Sequence, residues 1–325
     1  MSAARDGAPV LALRALGLGD ALTGVPALRG LRRRYPDRPL LLAAPAAVGR
    51  WLVALGVVDD VVVTDGLDDR PPGAGLGTHD AVDLHGNGPP SRDLLRAGAP
   101  RTLLSFAGDD QRPGERGVRW WAGEHEVLRW CRLVGAVGAA CGLEDLRLTP
   151  RPGQAVGAAG HPDAPVVLHP GAASGSRRWP VDRWAEVAAA LAAAGHPVLV
   201  TGGAAERDLA AGLVRAAGLT SSANRAGQLD LPALAGLVGS ARLLVCGDTG
   251  VAHLATALGI PSVLLFGPVS PTVWGPAIDL DLHTVLWHGD GTGDPHGADP
   301  DPHLLQIGVA EVLAAAWSRL RTTAG

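Results

Sequence analysis

The sequence predicts an α/β chain of two doubly wound domains with a cleft between them, and three observations carry that prediction. Short β-branched or leucine-rich runs alternate with alanine-rich, helix-length segments along nearly the whole chain. That rhythm belongs to parallel sheets covered by helices on both faces. A stretch rich in Pro, Gly and Ala, residues 149–165, interrupts the alternation and reads as a linker. The length, 325 residues with 47% hydrophobic, suffices for two cores. The expected domains are 1–155 and 156–325.

Residues 10–14 read as a buried strand entering a glycine-rich turn. Ala21, Leu22, Val25, Leu28 and Leu31 then recur at three- and four-residue spacing, which predicts an amphipathic helix. Strands are expected at 40–43, 61–64, 81–84 and 102–105, with helices at 46–55 and 91–97 and a longer one at 124–141. The second half predicts a strand at 166–169, a helix at 184–194, a strand at 198–201 and a helix at 205–217. Residues 231–240, 243–246, 250–258 and 262–266 continue the alternation. Residues 289–302, GDGTGDPHGADPDP, form a low-complexity loop.

Composition excludes several chemistries. All 28 basic residues are arginine, so a phosphate loop ending in Lys-Ser/Thr, a pyridoxal Schiff base and a lysine general base are ruled out. The net charge of −4 gives no general nucleic-acid-binding surface. The first 155 residues carry net +1 and the remainder −5, so an anion bound by the second half must be held by local geometry. Three cysteines without C-x-x-C spacing, Cys131, Cys141 and Cys246, do not suggest a disulfide framework. No apolar run is long enough to span a membrane, and residues 1–9 do not read as a secretory leader, so the chain is expected to be cytoplasmic.

Five strand ends are candidates for chemistry. Residues 14–20, RALGLGD, leave the first strand; Gly17 and Gly19 are suited to positive φ or close ligand approach, and Asp20 reads as a helix N-cap or a cleft carboxylate. The dinucleotide fingerprint is not completed, because Leu22 stands where its third glycine belongs and no acid ends the second strand. The run His169-Pro170-Gly171-Ala172, with Arg177 and Arg178 following, reads as a phosphate-binding loop or an ordinary loop with solvated arginines. Asp248, Thr249 and Gly250 open a helix whose amides favour a diphosphate, and His253 follows one turn on. Gly202 and Gly267 end the neighbouring strands, completing a ligand rim.

Other groups carry less. His283, His288, His296 and His303 are irregularly spaced and read as a solvated loop rather than a metal site, so no metal is expected. Arg29, Arg32, Arg33 and Arg34 read as a solvent face, with attraction to an anionic acceptor or membrane as the sharper alternative. Trp120 and Trp121 suit stacking on a sugar or contact with lipid headgroups.

Taken in order, these motifs resemble glycosyltransferase family 9, the ADP-heptose:lipopolysaccharide heptosyltransferase-like enzymes. The resemblance rests on Gly17-Leu18-Gly19-Asp20 with Pro26-Ala27-Leu28, His169-Pro170-Gly171-Ala172, Arg178-Trp179-Pro180, Gly202-Gly203, Asp248-Thr249-Gly250 with His253, and Phe266-Gly267-Pro268. It implies a GT-B architecture of two Rossmann-like domains and an inverting transfer without cofactor or bound metal. Asp20 would be the general base. His169, Gly171, Ala172, Arg177, Arg178, Gly202, Asp248, Thr249, Gly250, His253 and Gly267 would bind the donor, with Arg14, Gly17 and Gly19 on the acceptor side. Family members often carry Lys at the places of Arg14 and of the arginines before Trp179; arginine keeps the charge and changes the geometry. The implied partners are a nucleoside-diphosphate sugar and a glycan or small-molecule acceptor, with no nucleic acid. Peripheral membrane contact and oligomeric state stay open. A sugar-nucleotide epimerase or hydrolase, or a non-catalytic two-domain solute-binding protein, are the alternatives.

Overall fold

The computed structural model describes residues 7–68, 70–148 and 163–322. The chain divides into two compact units, Met1–Leu146 and Arg147–Gly325. Most of the expected linker, and the expected boundary at 155, lie outside the described residues.

The first unit contains β1 (Val10–Leu13), α1 (Leu18–Arg34), β2 (Leu40–Ala44), α2 (Ala46–Ala54), β3 (Asp60–Val63), β4 (Asp80–Asp83), α3 (Pro89–Ala97), β5 (Thr102–Phe106), β6 (Arg116–Val118) and α4 (Glu126–Gly135). Its sheet is wholly parallel in the order β3-β2-β1-β4-β5-β6. The central strand β1 is buried at every position, which is why VLAL shows no polar alternation. The edge strand β3 exposes both its ends, Asp60 and Val63. From β1 the chain winds outward to β3 and then returns beside β1 as β4, with Leu13 opposite Asp83. This reversal opens a crevice at the carboxyl ends of β1 and β4, the place where doubly wound sheets bind ligands.

The second unit contains β7 (Val166–His169), α5 (Val181–Ala193), β8 (Val198–Val200), α6 (Arg207–Ala216), α7 (Leu231–Gly239), β9 (Leu243–Gly247), α8 (Gly250–Leu258), β10 (Ser262–Leu265), α9 (Pro271–Trp274), β11 (His283–Leu286) and α10 (Val309–Thr322). Its parallel sheet runs β11-β10-β9-β7-β8. One parallel bridge, Val200 to Asn224, lies beyond β8. Counting that bridge as a vestigial strand gives this unit the same winding as the first. Its reversal falls between β7 and β9, with His169 opposite Cys246. The core gathers Leu168, Val245 and Leu265 from the sheet with Trp184 and Leu191 of α5 and Val312 and Ala316 of α10.

The predicted elements appear with boundaries shifted by a few residues, apart from the long helix expected at 124–141, which is the shorter α4. Strands β6 and β11 and the one-turn α9 were not anticipated. β6 has only three residues and sits at a sheet edge, while β11 begins with His283, a residue expected in a solvated loop. That histidine is buried, with its Nδ1 2.8 Å from Ser262 Oγ. Among the described residues, no helix is long and apolar enough to cross a membrane.

Candidate functional site

The crevice of the first unit is organised by Arg14, which follows β1 and is buried. Its Nε donates to the Asp20 carbonyl and its Nη1 to the Leu84 carbonyl. Its Nη2 donates to Thr23 Oγ1 at 2.9 Å and to Glu126 Oε1 at 3.3 Å. The guanidinium lies 4.5 Å from the centroid of the Trp130 ring. Glu126 is held in turn by Trp130 Nε1 at 2.8 Å and by Arg129. Gly24 is required here for space, since a Cβ would stand 2.9 Å from Arg14 Cδ.

Asp20 is not the N-cap of α1; Gly17 occupies that position and Asp20 lies within the first turn. The cap reading fails because the helix begins earlier than the apolar spacing suggested. Gly17 and Gly19 do not take the positive-φ alternative: Gly17 has φ −67° and leads directly into the helix. The Asp20 carboxylate is one-third exposed, and Arg14 Nη2 is 3.9 Å away. The helix N-terminus and Arg14 both attract negative charge at this point.

Across the crevice, β4 ends at Asp83. This carboxyl accepts from Ser91 Oγ at 2.6 Å and from the His85 backbone N–H at 2.9 Å. Its burial pushes its pKa up to about 6. His85 is held down at about 4 by burial and by the Arg14 charge, with Asp20 acting in the opposite sense. Its Nδ1 is buried without a hydrogen-bond partner. Sequence reasoning missed Asp83 and His85. The available signal was their place in Asp-Leu-His-Gly, at the end of the fourth strand.

In the second unit the expected donor residues share the carboxyl edge of the sheet. His169 ends β7, buried, with its Nδ1 2.9 Å from Thr201 Oγ1. Burial lowers its pKa, while the nearby Glu206 acts to raise it. Glu206, also missed, accepts from the Gly203 N–H at 2.7 Å. A Cβ on Gly171 would meet its carboxylate at 2.0 Å, and one on Gly202 would meet its Cβ at 3.1 Å. The glycines thus leave room for this acid at the rim.

The two candidate arginines separate clearly. Arg177 donates from Nε to Ser174 Oγ at 3.1 Å, and its Nη1 is 3.6 Å from Asp248 Oδ2. Arg178 instead turns back, donating from Nε and Nη2 to the Ala172 carbonyl at 3.0 and 2.8 Å. Asp248 directly precedes Thr249, the N-cap of α8, whose first turn begins at Gly250 and contains no acidic residue. The opening amides of α8 therefore form an anion-attracting end beside Arg177. His253, buried within α8, faces the Trp274 ring at 6.0 Å. Gly267, after β10, is packed so closely that a Cβ would lie 2.9 Å from Leu304 Cβ and 3.4 Å from the Ser176 carbonyl.

The low-complexity loop is folded onto this rim. Ser174 Oγ donates to the Pro295 carbonyl at 2.5 Å, Ser176 N–H to Gly297 at 2.9 Å, and Asp301 N–H to Ser176 at 3.1 Å. Gly175 is obligatory beneath it, since a Cβ there would overlap the Ala298 carbonyl at 1.6 Å.

Several other candidates are engaged in folding contacts. Arg29 and Arg33 bind Asp145, Arg32 binds Asp59, and Arg34 donates to the Val137 carbonyl. Trp120 packs edge-on against Phe106 at 4.8 Å, while Trp121 is exposed with Arg132 over its ring. Among the described residues, no three His, Cys, Asp or Glu side chains are grouped to hold a metal ion.

Fold and site together define a two-domain, Rossmann-like α/β protein with an anion-ready rim in its second unit. Residues 121–290 match the model of glycosyltransferase family 9 (heptosyltransferase). Lipopolysaccharide heptosyltransferase 1 of Pseudomonas aeruginosa is 40% identical over 121 residues, 35% of this chain and 32% of that protein. Lipopolysaccharide heptosyltransferase 3 of Escherichia coli K12 is 29% identical over 167 residues, 50% of this chain and 48% of that protein. The matched stretches thus span a third to a half of these relatives. The solved structure of E. coli ADP-heptose LPS heptosyltransferase II superposes with a TM-score of 0.77 at 20% identity, covering 98% of this chain and 100% of its own. A family 9 glycosyltransferase from Veillonella parvula gives 0.78 at 18% identity, covering 97% of each chain. The family match spans just over half of the chain: the protein belongs to glycosyltransferase family 9, and its fold is GT-B.

Proposed function

We propose that the protein is an inverting, metal-independent and cofactor-free glycosyltransferase that moves heptose from ADP-heptose to a hydroxyl of a lipopolysaccharide core or related glycan. The observation that carries this reading is the Asp20 carboxylate, set in the first turn of α1 but capping nothing, with its main chain fixed by a buried arginine. In the proposed single displacement, Asp20 takes the proton of the acceptor hydroxyl as that oxygen bonds to the anomeric carbon. The bond from the anomeric carbon to the diphosphate breaks, and ADP leaves carrying the electron pair. Arg177 and the opening amides of α8 stabilise the charge gathering on that diphosphate. Asp248, Thr249, Gly250 and His253, with the rim at His169, Gly171, Ala172, Gly202 and Gly267, hold the donor; Arg178 supports the loop from beneath. Transfer takes place in the cytoplasm, as part of the same proposal.

Asp20→Asn tests it. The variant should fold and bind ADP as the wild type does, yet lose transfer by roughly 10²–10⁴-fold. Wild-type turnover would refute the base assignment. Recovery of chelator-treated enzyme only with a divalent ion would refute metal independence. Turnover of ADP-heptose without any acceptor would mark an epimerase or hydrolase instead.

A further inference from the structure

We propose that residues 295–301 are a working part of the donor site, acting through Ser174, a positioning residue whose hydroxyl sets the Arg177 guanidinium for a diphosphate. The inference rests on Arg177 meeting the donor, as in the reading above.

The route from this segment to the guanidinium is unbroken in hydrogen bonds. Ser174 Oγ donates its one proton to the Pro295 carbonyl at 2.5 Å. Its lone pairs are then left for Arg177 Nε at 3.1 Å and Ser176 Oγ at 3.3 Å. Arginine has no acceptor, so the hydroxyl can hold Nε only while its own proton points elsewhere, and the Pro295 carbonyl is what it points to. The turn beneath is fastened by the same segment. Ser176 N–H donates to the Gly297 carbonyl at 2.9 Å, and Asp301 N–H to the Ser176 carbonyl at 3.1 Å. Ser176 and Asp301 are both buried, and Asp301 Oδ1 is engaged by the His303 N–H at 2.9 Å. The Arg177 main chain is seated against the end of β9, where a Cβ on Gly247 would stand 3.1 Å from its carbonyl.

The hold on Nε decides what the rest of the guanidinium can do. Arg177 Nη1 is 3.6 Å from Asp248 Oδ2, within attraction but beyond a hydrogen bond. Released from Ser174, the guanidinium would close on that carboxylate and turn its charge inward. Held at Nε, it keeps Nη1 and Nη2, which make no hydrogen bond among the described residues, for the paired contact that guanidinium groups make with phosphate oxygens. Only an arginine can be gripped at one nitrogen and still present two more; a lysine has a single nitrogen for both tasks.

Ser174→Ala removes the grip and leaves the charge. Titrated with ADP, this variant should bind roughly 3–10-fold more weakly, and Ser174→Thr, which keeps a hydroxyl, should recover most of that loss. Placed on Arg177→Ala, Ser174→Ala should add less than about 2-fold, because it acts through the guanidinium. Gly175→Ala tests the segment itself. Its Cβ would stand 1.6 Å from the Ala298 carbonyl, so residues 295–301 must shift while every donor-binding side chain is kept. It too should weaken ADP binding roughly 3–10-fold, and by less than about 2-fold on Arg177→Ala. Wild-type affinity in Ser174→Ala or Gly175→Ala, a full loss on the Arg177→Ala background, or no recovery by Ser174→Thr would each overturn the proposal. Should Gly175→Ala fail to fold, amide exchange in the unaltered protein decides the part played by the segment. The Ser176 and Asp301 N–H groups should exchange more slowly with ADP bound, and less so in Arg177→Ala. Equal exchange with and without ADP would overturn it. Weak ADP binding in Arg177→Ala beside normal binding in Ser174→Ala defeats this inference alone, whereas normal binding in Arg177→Ala defeats the donor reading beneath it.

Discussion

Replacing Arg14 by methionine tests whether the first unit is built around this one buried cation. The side chain is 1% exposed and serves Leu84, Asp20, Thr23 and Glu126 while stacking on Trp130. These losses are unequal. The Asp20 carbonyl keeps a donor, Thr23 Oγ1 at 2.8 Å, and Glu126 keeps Arg129 and Trp130. The Leu84 carbonyl is left short of a partner, at about 1–3 kcal/mol. Loss of the cation–π contact adds about 1 kcal/mol, and the weakened charge pairing brings the total to about 3–5 kcal/mol. For a unit of this size that lowers the melting temperature by about 6–20 °C. Lysine keeps the charge but neither the fork nor the plane, so Arg14→Lys should cost about 1–3 kcal/mol. Scanning calorimetry reads both variants, with ADP affinity at low temperature as a control, since none of these partners lies in the second unit. A methionine variant melting within about 2 °C of wild type would refute the reasoning.

Further outcomes follow from the second unit. With the proposed donor site, Arg177→Ala should weaken ADP binding by roughly 10–100-fold, because the proposal gives Arg177 a charge-assisted contact with the diphosphate; Arg178→Ala should change it less than about 3-fold. Calorimetric titration separates the two, and equal losses would contradict the division between them. His283 is held at about 4 by burial, against an ordinary 6.5. The unfolded chain therefore binds the extra proton between those values, so the stability His283 contributes is present above pH 6.5 and lost as pH falls through 4. The loss is at most about 3 kcal/mol, and His283→Asn should flatten that part of the stability–pH profile measured in urea. An unaltered slope would show that another group titrates there.

The sequence disclosed most of the fold because both sheets are parallel and buried. Apolar runs such as VLAL and VVLH have few alternatives to a central strand. It was silent on β6 and β11, which are short edge strands held by pairing with β5 and β10 rather than by their own composition. The rim glycines were legible as strand-end punctuation, but the acid they make room for, Glu206, was not. Its role depends on a contact with Gly171 far away in sequence. Asp20 was singled out from its motif, although its place inside the helix was not legible. Likewise Arg177 and Arg178 are equivalent in sequence, and only the direction each side chain takes divides them.

The clasp of residues 295–301 on the 174–177 turn has a consequence for biosynthesis. The turn carrying Arg177 takes its shape partly from main-chain bonds to Gly297 and Asp301, made more than a hundred residues after it is translated. A nascent chain that has released α5 and even α8 still lacks the segment that seats Ser174 and Ser176. The first unit draws its whole sheet from residues before Leu146 and can assemble while synthesis continues. The rim at the carboxyl edge of the second sheet must wait for the last tenth of the polypeptide, so a ribosome stalled before that point carries a first unit able to fold and a second unit whose rim is unfinished.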